Sequence, residues 1–233
     1  AEKMRLLVLA KNDLASAGVT RAWTDAFEEK GIVAVPFSSR RPKDAGAVLA
    51  AVDRVMRPTL ERFLARGVKK TVRALVAGIP NAGKSTLINR LSRGNPAAVG
   101  NKPGVTRGKQ WVKAGPYLEL LDTPGLLWPR LGDREVAMHI AYVGSIRDEV
   151  TDPETLAAGL LSELYETAPR EMNASYGDMG GMDGETFLYE LCRRRNWMVK
   201  PGALDTERMA RAVIDAFRAG KLGRISLERP DGR

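Results

Sequence analysis

The 233-residue sequence has few of the residues that build disulfide frameworks or histidine metal sites. Its one cysteine, Cys192, cannot form an internal disulfide, so a packing role in a reducing compartment such as the cytoplasm is expected. The one histidine, His139, cannot build a multi-histidine metal site. No apolar run approaches the length of a membrane-spanning helix. These shortages exclude several classes of protein and leave a globular chain long enough to bury a core of one or two domains.

Acidic residues are also in deficit. The chain has 28 Asp and Glu against 37 Lys and Arg, which gives a net charge of +9 and a pI near 9.8. Many basic proteins bind nothing special. An excess of this size nevertheless favours a nucleic acid or another anionic surface as the partner.

The most specific motif is a glycine-bearing loop, Gly78-Ile-Pro-Asn-Ala-Gly-Lys-Ser-Thr86. The fixed positions of G-x-x-x-x-G-K-[ST] are held by Gly78, Gly83, Lys84 and Ser85. A buried strand is predicted before the loop, over residues 72–77, and a helix after it, over residues 85–91. The alternative, a glycine-rich loop that binds no phosphate, does not explain this strand–loop–helix context.

The chemistry of this loop is phosphate binding. Backbone N–H groups and the helix N-terminus attract anions, Lys84 reaches β- and γ-phosphates, and the Ser85 hydroxyl is a Mg²⁺ ligand. The residues predicted to surround the phosphates are Asn81, Ala82, Gly83, Lys84, Ser85 and Thr86.

Strands and helices alternate in the first half of the chain. Strands are predicted over residues 5–10, 32–37, 72–77, 110–113 and 117–121, and helices over residues 22–30, 44–66 and 85–91, the second helix interrupted at Pro58. This order predicts an α/β fold with a doubly wound sheet and ligands at the carboxyl ends of its strands. Polar groups follow the strands: Lys11 and Asp13, Ser38 and Ser39, the phosphate loop, and Asp122-Thr-Pro-Gly125. Residues 94–107 have no apolar periodicity, which predicts a mobile loop.

The second half of the chain changes character. Amphipathic helices are predicted over residues 135–147, 154–167, 185–195 and 206–219, with a loop over 173–184 and no strand. The predicted domains are therefore residues 1–149 and a small helical domain over residues 150–233. The run Arg193-Arg-Arg-Asn-Trp197 could contact RNA, although a charged helix face explains it equally well.

The order of the motifs is unusual, because Lys11-Asn-Asp13 and Ser38-Ser39 precede the phosphate loop. In this respect the sequence resembles the circularly permuted GTPases, and specifically the ribosome biogenesis GTPase A (YlqF-type) family. The resemblance covers nearly the whole chain and is carried by Gly78 to Leu91, Lys102-Pro-Gly-Val-Thr106, Gln110-Trp-Val-Lys113, Leu120 to Pro129, and the ending Lys221 to Leu227.

The resemblance implies a P-loop GTPase domain with permuted motif order, followed by an all-helical C-terminal domain. It implies hydrolysis of GTP to GDP with Mg²⁺, and a monomeric factor that assists assembly of the large ribosomal subunit. Contacts with the precursor particle and its rRNA, and stimulation of hydrolysis by that particle, belong to the same expectation.

By position, the resemblance also assigns roles to residues. Thr106 closes on Mg²⁺ and the γ-phosphate, Asp122 holds the Mg²⁺, and the Gly125 backbone senses the γ-phosphate. Lys11 flanks the guanine, Asp13 accepts its N1 and N2 hydrogens, and Ser38 and Ser39 support the base. Asn81 either helps to hold a K⁺ ion or braces its own loop. Lys84, Thr106, Gly125 and Asn81 are thus the expected catalytic residues.

Three departures from the family pattern bear on these expectations. Ala10 stands where the Asn-Lys-x-Asp motif has its asparagine. Leu126 stands where Ras-like enzymes have the glutamine that orients water. The family has a further strand, with an Asp-Ala-Arg-x-Pro element, before the one over residues 5–10; this sequence begins without it, so the natural protein is expected to extend upstream. Two alternatives stay open: an RNA-binding module that uses nucleotide only as a structural ligand, and a P-loop ATPase.

Overall fold

A computed structural model describes residues 3–92, 110–127, 133–147 and 150–232. The predicted loop over residues 94–107, with Thr106, lies outside the described residues, as do Trp128 and Pro129. The chain divides into two compact units, residues 1–127 with 229–233, and residues 128–228. No helix in the described ranges is both long and apolar enough to span a bilayer.

The first unit alternates strands and helices in the predicted order. Its elements are β1 (Leu6–Leu9), α1 (Ala17–Glu29), β2 (Val33–Pro36), α2 (Pro42–Leu64), β3 (Val72–Val76), α3 (Lys84–Leu91), β4 (Gln110–Lys113) and β5 (Leu118–Asp122). β1 pairs in parallel with β2, and β5 lies between a parallel β3 and an antiparallel β4. The α/β class is confirmed. The described strands nevertheless form two separate sheets here, whereas one doubly wound sheet was predicted.

One hydrophobic core joins these two sheets. Leu118 and Leu120 alternate with more exposed residues on β5 and turn inward, as the period of a strand requires. They pack with Phe37 at the end of β2, Val48 of α2 and the fully buried Ile88 of α3. The helix that follows the phosphate loop is therefore anchored in the same core as both sheets.

Two helices of this unit differ from the prediction. α1 begins at Ala17 and not at residue 22, although Gly18 is a poor helix former. α2 runs without a break through Pro58, so the predicted interruption is wrong. Val48 anchors that helix in the core and Ala51 is buried, while Met56 and Leu60 flank the proline and pack against the core. This packing outweighs the hydrogen bond that the proline cannot make.

The second unit is mainly helical. Its elements are α4 (Arg134–Tyr142), α5 (Pro153–Thr167), α6 (Pro169–Tyr176), α7 (Gly184–Arg194), β6 (Met198–Lys200), β7 (Ala203–Leu204) and α8 (Thr206–Arg218). Three long helices begin after an aspartate whose side chain accepts a backbone N–H of the first turn: Asp152, Asp183 and Asp205. The prediction missed the β6–β7 hairpin, and α6 occupies part of the predicted loop over 173–184.

The core of this second unit is formed by α5, α7 and α8. Its fully buried side chains include Leu160, Leu161, Leu164, Phe187, Met209, Val213 and Cys192, which confirms the packing role of the cysteine. A Cβ at Gly184 would lie 1.9 Å from the Ala158 carbonyl oxygen, so only glycine permits this approach of α7 to α5. α4 contributes Ala141 and Tyr142 to the same core. The compact division after residue 127 thus differs from the predicted boundary near residue 149, because α4 packs with α5 and α8.

His139 of α4 is buried between two glutamates. Its Nε2 lies 2.7 Å from Glu163 Oε1, and its Nδ1 lies 2.7 Å from Glu228 Oε1. Burial lowers the pKa of His139, but its contacts with Glu228 and Glu163 outweigh this effect and raise the pKa above its ordinary value. Burial also raises the pKa of Glu163, against the opposing influence of His139. The histidine therefore has a structural role, tying the segment after α8 to α4 and α5.

Candidate nucleotide-binding site

The glycine-bearing loop lies between β3 and α3, as predicted. α3 begins at Lys84, directly after Gly83, which has a φ of 97°. Asn81 also has a left-handed backbone, with a φ of 56°, a conformation that asparagine tolerates better than most residues. Ala82 and Thr86 are half-buried beside these residues. The backbone turns and the helix N-terminus together provide the amide groups that bind phosphates.

The Lys84 side chain folds back across the loop. Its Nζ donates a hydrogen bond of 2.8 Å to the carbonyl oxygen of Ile79. Burial lowers the pKa of Lys84, and the negative charge of Asp122 opposes this shift. The ammonium group therefore lies within the loop where Lys84 was predicted to meet phosphate.

Ser85 and Asp122 come together from different elements. The Ser85 hydroxyl, in the first turn of α3, donates a 2.8 Å hydrogen bond to Asp122 Oδ2 at the end of β5. Asp122 is only 1% exposed, and its other oxygen, Oδ1, is buried without a hydrogen-bond partner among the described residues. A buried carboxylate oxygen without a partner is costly unless water or a cation satisfies it.

This pair fits Mg²⁺ better than a metal held by many side chains. Within the described ranges, no group of three or more His, Cys, Asp or Glu residues could hold a metal ion. Mg²⁺ prefers oxygen ligands and keeps several waters, so it needs only one or two protein groups beside the substrate phosphates. Ser85 Oγ and Asp122 provide such a set.

The segment after β5 is attached directly to the phosphate loop. The Thr123 hydroxyl donates a 2.7 Å hydrogen bond to the Val76 carbonyl oxygen, and the Leu126 amide donates one of 3.2 Å to the Gly78 carbonyl oxygen. Between them, Gly125 lies against Pro80: a Cβ at this glycine would be 2.5 Å from Pro80 Cα. Asp122 to Gly125 and the phosphate loop therefore form one packed cluster.

The residues predicted to bind the base form a second cluster, after β1 and β2. Lys11 is exposed and has a φ of 55°. The Asp13 carboxylate is half-buried and lies 3.6 Å from the guanidinium Nε of the exposed Arg40, a pair open to solvent on one side that contributes little to stability. Ser38 is fully buried, and its hydroxyl accepts a 3.2 Å hydrogen bond from the Arg40 amide. Ser39 is half-buried beside it.

Sequence reasoning missed three polar residues of this second cluster. Asn12, Arg41 and Asp44 link the two loops by side-chain contacts. Asn12 and Asp44 are buried, although both are polar. The contact between Asn12 and Arg41 spans 29 positions of the chain, so no local pattern predicts it. The one signal in the sequence is the position of Asn12 between Lys11 and Asp13.

A cluster of arginines and aromatic rings lies in the second unit. The Arg195 and Arg208 guanidinium groups lie 5.6 Å and 4.3 Å from the centre of the Trp197 ring. Arg193 and Arg194, which the sequence grouped with them, form ion pairs with Glu190 on their own helix. The structure thus places Arg208 against Trp197, whereas Arg193 and Arg194 pair with a glutamate of their own helix.

Comparison with known proteins agrees with this geometry. Residues 73–156 match the family model described as 50S ribosome-binding GTPase. The chain is 36% identical over 232 residues to ribosome biogenesis GTPase A of Bacillus licheniformis, covering 98% of this chain and 82% of that protein. Among solved structures, GNP-bound YlqF from T. maritima aligns with a TM-score of 0.64 and 25% identity over 98% of this chain and 82% of that one. A GDP-bound structure of TM YlqF aligns with a TM-score of 0.67 and 24% identity, over 97% and 83%.

The strand–loop–helix, the buried Ser85–Asp122 pair and the family match together define a P-loop GTPase with an α/β fold and a helical C-terminal region. The similarity to the Bacillus protein extends over almost the whole chain. The chain belongs to the ribosome biogenesis GTPase A family.

Proposed function

We propose that this chain binds GTP with Mg²⁺ and hydrolyses it to GDP and phosphate at the cluster formed by the phosphate loop and Asp122. The observation that supports this most directly is the Ser85–Asp122 contact beside the unsatisfied Asp122 Oδ1. Ser85 Oγ would ligate the ion directly and Asp122 through water. Mg²⁺ supplies positive charge to the phosphate oxygens when it is bound. Lys84 would leave the Ile79 carbonyl and meet the β- and γ-phosphates.

The γ-phosphate would be sensed by the Gly125 amide. The tight contact between Gly125 and Pro80 supports this role, because it holds the backbone at Gly125 against the phosphate loop. Thr106 is proposed to close on the same phosphate and on Mg²⁺. Leu126, the residue after Gly125, is 64% exposed, and its side chain cannot orient water by hydrogen bonding. Turnover by the isolated chain is therefore slow, since positioning and charge stabilisation supply most of the catalysis in phosphoryl transfer.

Asn81 is proposed to help hold K⁺, which would add positive charge to the transition state. Its left-handed backbone permits a sharp comparison, because glycine adopts the same conformation without an amide side chain. We expect faster turnover in K⁺ than in Na⁺ for the unaltered chain, and no such difference for Asn81→Gly. A persisting K⁺ advantage in that variant would leave Asn81 with only a loop-bracing role.

The base would be recognised by the cluster after β1 and β2. Lys11 is proposed to flank the guanine, Asp13 to accept its N1 and N2 hydrogens, and Ser38 and Ser39 to support it from the other side. Guanine would replace Arg40 as the partner of Asp13. These residues precede the phosphate loop in the chain, which supports the proposal that the motif order is that of a circularly permuted GTPase.

We further propose that the chain acts in assembly of the large ribosomal subunit and contacts its rRNA. The names of the matched family and of the Bacillus relative support this role, as does the net charge of +9. The arginine–tryptophan cluster of the second unit provides cationic and stacking groups suited to RNA. Affinity for precursor particles should fall steeply with salt and should be higher with GTP than with GDP. Equal sedimentation with particles in GTP, in GDP and without nucleotide would contradict the proposed dependence of particle binding on the bound nucleotide.

Binding of labelled GDP, competed by unlabelled GDP, GTP, ADP or ATP, tests the site itself. We expect guanine nucleotides to displace the labelled GDP and adenine nucleotides not to displace it. Chelation of Mg²⁺ should weaken the binding of GTP. Lys84→Ala should abolish tight binding, whereas Lys43→Ala, an exposed lysine on α2, should not. GDP binding that is unchanged by Lys84→Ala would contradict the assignment of the phosphate site.

A further inference from the structure

Two loops meet where the parallel strands β1 and β2 end. The Phe37 amide donates to the Leu9 carbonyl oxygen at 2.9 Å, and the Asn12 amide donates to the Phe37 carbonyl oxygen at 3.2 Å. These main-chain bonds align the two loops. The loops contain the four residues proposed to contact guanine, which are Lys11, Asp13, Ser38 and Ser39.

One side chain joins the two loops. Arg41 is the residue before the first turn of α2, and its Nη2 donates a short hydrogen bond to Asn12 Oδ1 on the first loop. Its Nε lies 3.1 Å from Asp44 Oδ2 in the first turn of α2, as an ion pair. The same Asp44 oxygen accepts a 2.9 Å hydrogen bond from the Ser38 amide on the second loop. Asn12, Arg41, Asp44 and Ser38 therefore form a continuous chain of contacts, named here the Arg41 clamp.

Three of the four residues of this clamp are buried, whereas the Arg41 side chain is 42% exposed. The exposed fractions of Asn12, Asp44 and Ser38 are 7%, 9% and 0%. Buried polar groups of this kind are costly to leave without partners. The planar Arg41 guanidinium donates a hydrogen bond to an amide oxygen through Nη2, while its Nε faces the Asp44 carboxylate as an ion pair without a hydrogen bond. A lysine in its place keeps the charge but has only one nitrogen, so it does not present two separate nitrogen atoms to Asn12 and Asp44 as Arg41 does.

The position of Asn12 gives the clamp its connection to the base. Asn12 lies directly between Lys11 and Asp13, and its side chain is held inward by Arg41, which fixes the backbone that carries both neighbours. Ala10 has no side-chain hydrogen bond with which to brace this loop. We infer that Arg41, acting through Asn12 and Asp44, is a positioning residue for guanine recognition and supplies the bracing that Ala10 cannot.

This inference rests on the proposed function, and inosine diphosphate (IDP) tests it. Hypoxanthine lacks the 2-amino group of guanine, so Asp13 can accept one hydrogen from it and two from guanine. The unaltered chain should bind GDP about tenfold more tightly than IDP, the ratio expected for one hydrogen bond to a charged group. The GDP/IDP affinity ratio depends on a correctly oriented Asp13, whereas a general loss of stability would weaken the binding of both ligands alike.

The variants are Arg41→Lys and Asn12→Ala, measured by calorimetry with GDP and IDP. We expect GDP affinity to fall about tenfold and the GDP/IDP ratio to fall below about threefold in both. Lys43→Ala, on the same turn of α2 but exposed, should keep the ratio of the unaltered chain. If Arg41→Lys does not fold, Asn12→Ala, which removes the other half of the same contact, decides the question.

The outcomes separate the inference from the proposal beneath it. An unchanged GDP/IDP ratio in folded variants, with or without equal loss of both ligands, would overturn the positioning role of Arg41 while leaving guanine binding intact. Failure of the unaltered chain to bind GDP would overturn the proposed function itself. A ratio that narrows in both variants and not in Lys43→Ala supports the clamp.

Discussion

Adding one methyl group at Gly125 tests how closely the segment after β5 must approach the phosphate loop. A Cβ at this position would lie 2.5 Å, 2.6 Å and 2.8 Å from Cα, N and Cγ of Pro80. Carbon atoms pack at about 3.5–4.0 Å, so one of the two segments must move by about 1 Å. Two of the three contacts are backbone atoms, so no side-chain rotation relieves them.

The cost of Gly125→Ala follows from this displacement. Overpacking of this kind costs about 1–3 kcal/mol of folding free energy. A shift of about 1 Å between reacting groups can reduce turnover about 100-fold. The substitution keeps the amide that is proposed to sense the γ-phosphate, so its effect is attributable to position alone. We expect a lowered thermal midpoint and about 100-fold slower release of phosphate from saturating GTP.

Gly46→Ala is the matched control, because the same methyl group has nothing within 4 Å in α2. This control should leave turnover unchanged and stabilise the helix by about 0.5–1 kcal/mol. If Gly125→Ala releases phosphate within about twofold of the rate of the unaltered chain, Gly125 does not need its close approach to the phosphate loop, since a shift of about 1 Å between reacting groups should slow turnover far more.

Three further predictions follow from other contacts. Ser85→Ala removes the hydroxyl that meets Asp122 and should abolish the dependence of GTP affinity on Mg²⁺, as titration with the metal will show; retained dependence contradicts the metal assignment. Ala10→Asn should tighten GDP about fivefold, the effect of about 1 kcal/mol from one hydrogen bond, and calorimetry showing no gain would contradict it. Burial lowers the pKa of His139, but its contacts with Glu228 and Glu163 raise it above the ordinary value, so the stabilising effect of His139 is complete below that ordinary value and is lost as the pH rises through the raised one. The thermal midpoint should therefore fall as the pH rises above 6.5, less so in His139→Gln, and a flat profile would be the contrary result.

The sequence was sufficient for elements whose residues carry a local signal. The phosphate loop, β3, α3 and β5 were predicted near their observed positions, because apolar periodicity and a fixed motif specify them within about twenty residues. Asp122 and Ser85 were expected to share a metal, and the structure places their side chains in contact.

Other features depend on packing or on contacts between distant residues. The continuity of α2 through Pro58 depends on core contacts that override a local signal. The β6–β7 hairpin is very short, and its signal is the Pro201-Gly202 turn, in which Gly202 has a φ of 81°. The Arg41 clamp joins residues 29 positions apart, which no periodicity reveals.

Nucleotide turnover in the presence of ribosomal particles tests the central claim most directly. The unaltered chain is assayed with GTP and with ATP, each with and without large-subunit precursor particles. We expect slow Mg²⁺-dependent hydrolysis of GTP, clear acceleration by the particles, and no comparable hydrolysis of ATP. Equal hydrolysis of GTP and ATP, or GTP turnover that the particles leave unchanged, would contradict the central claim.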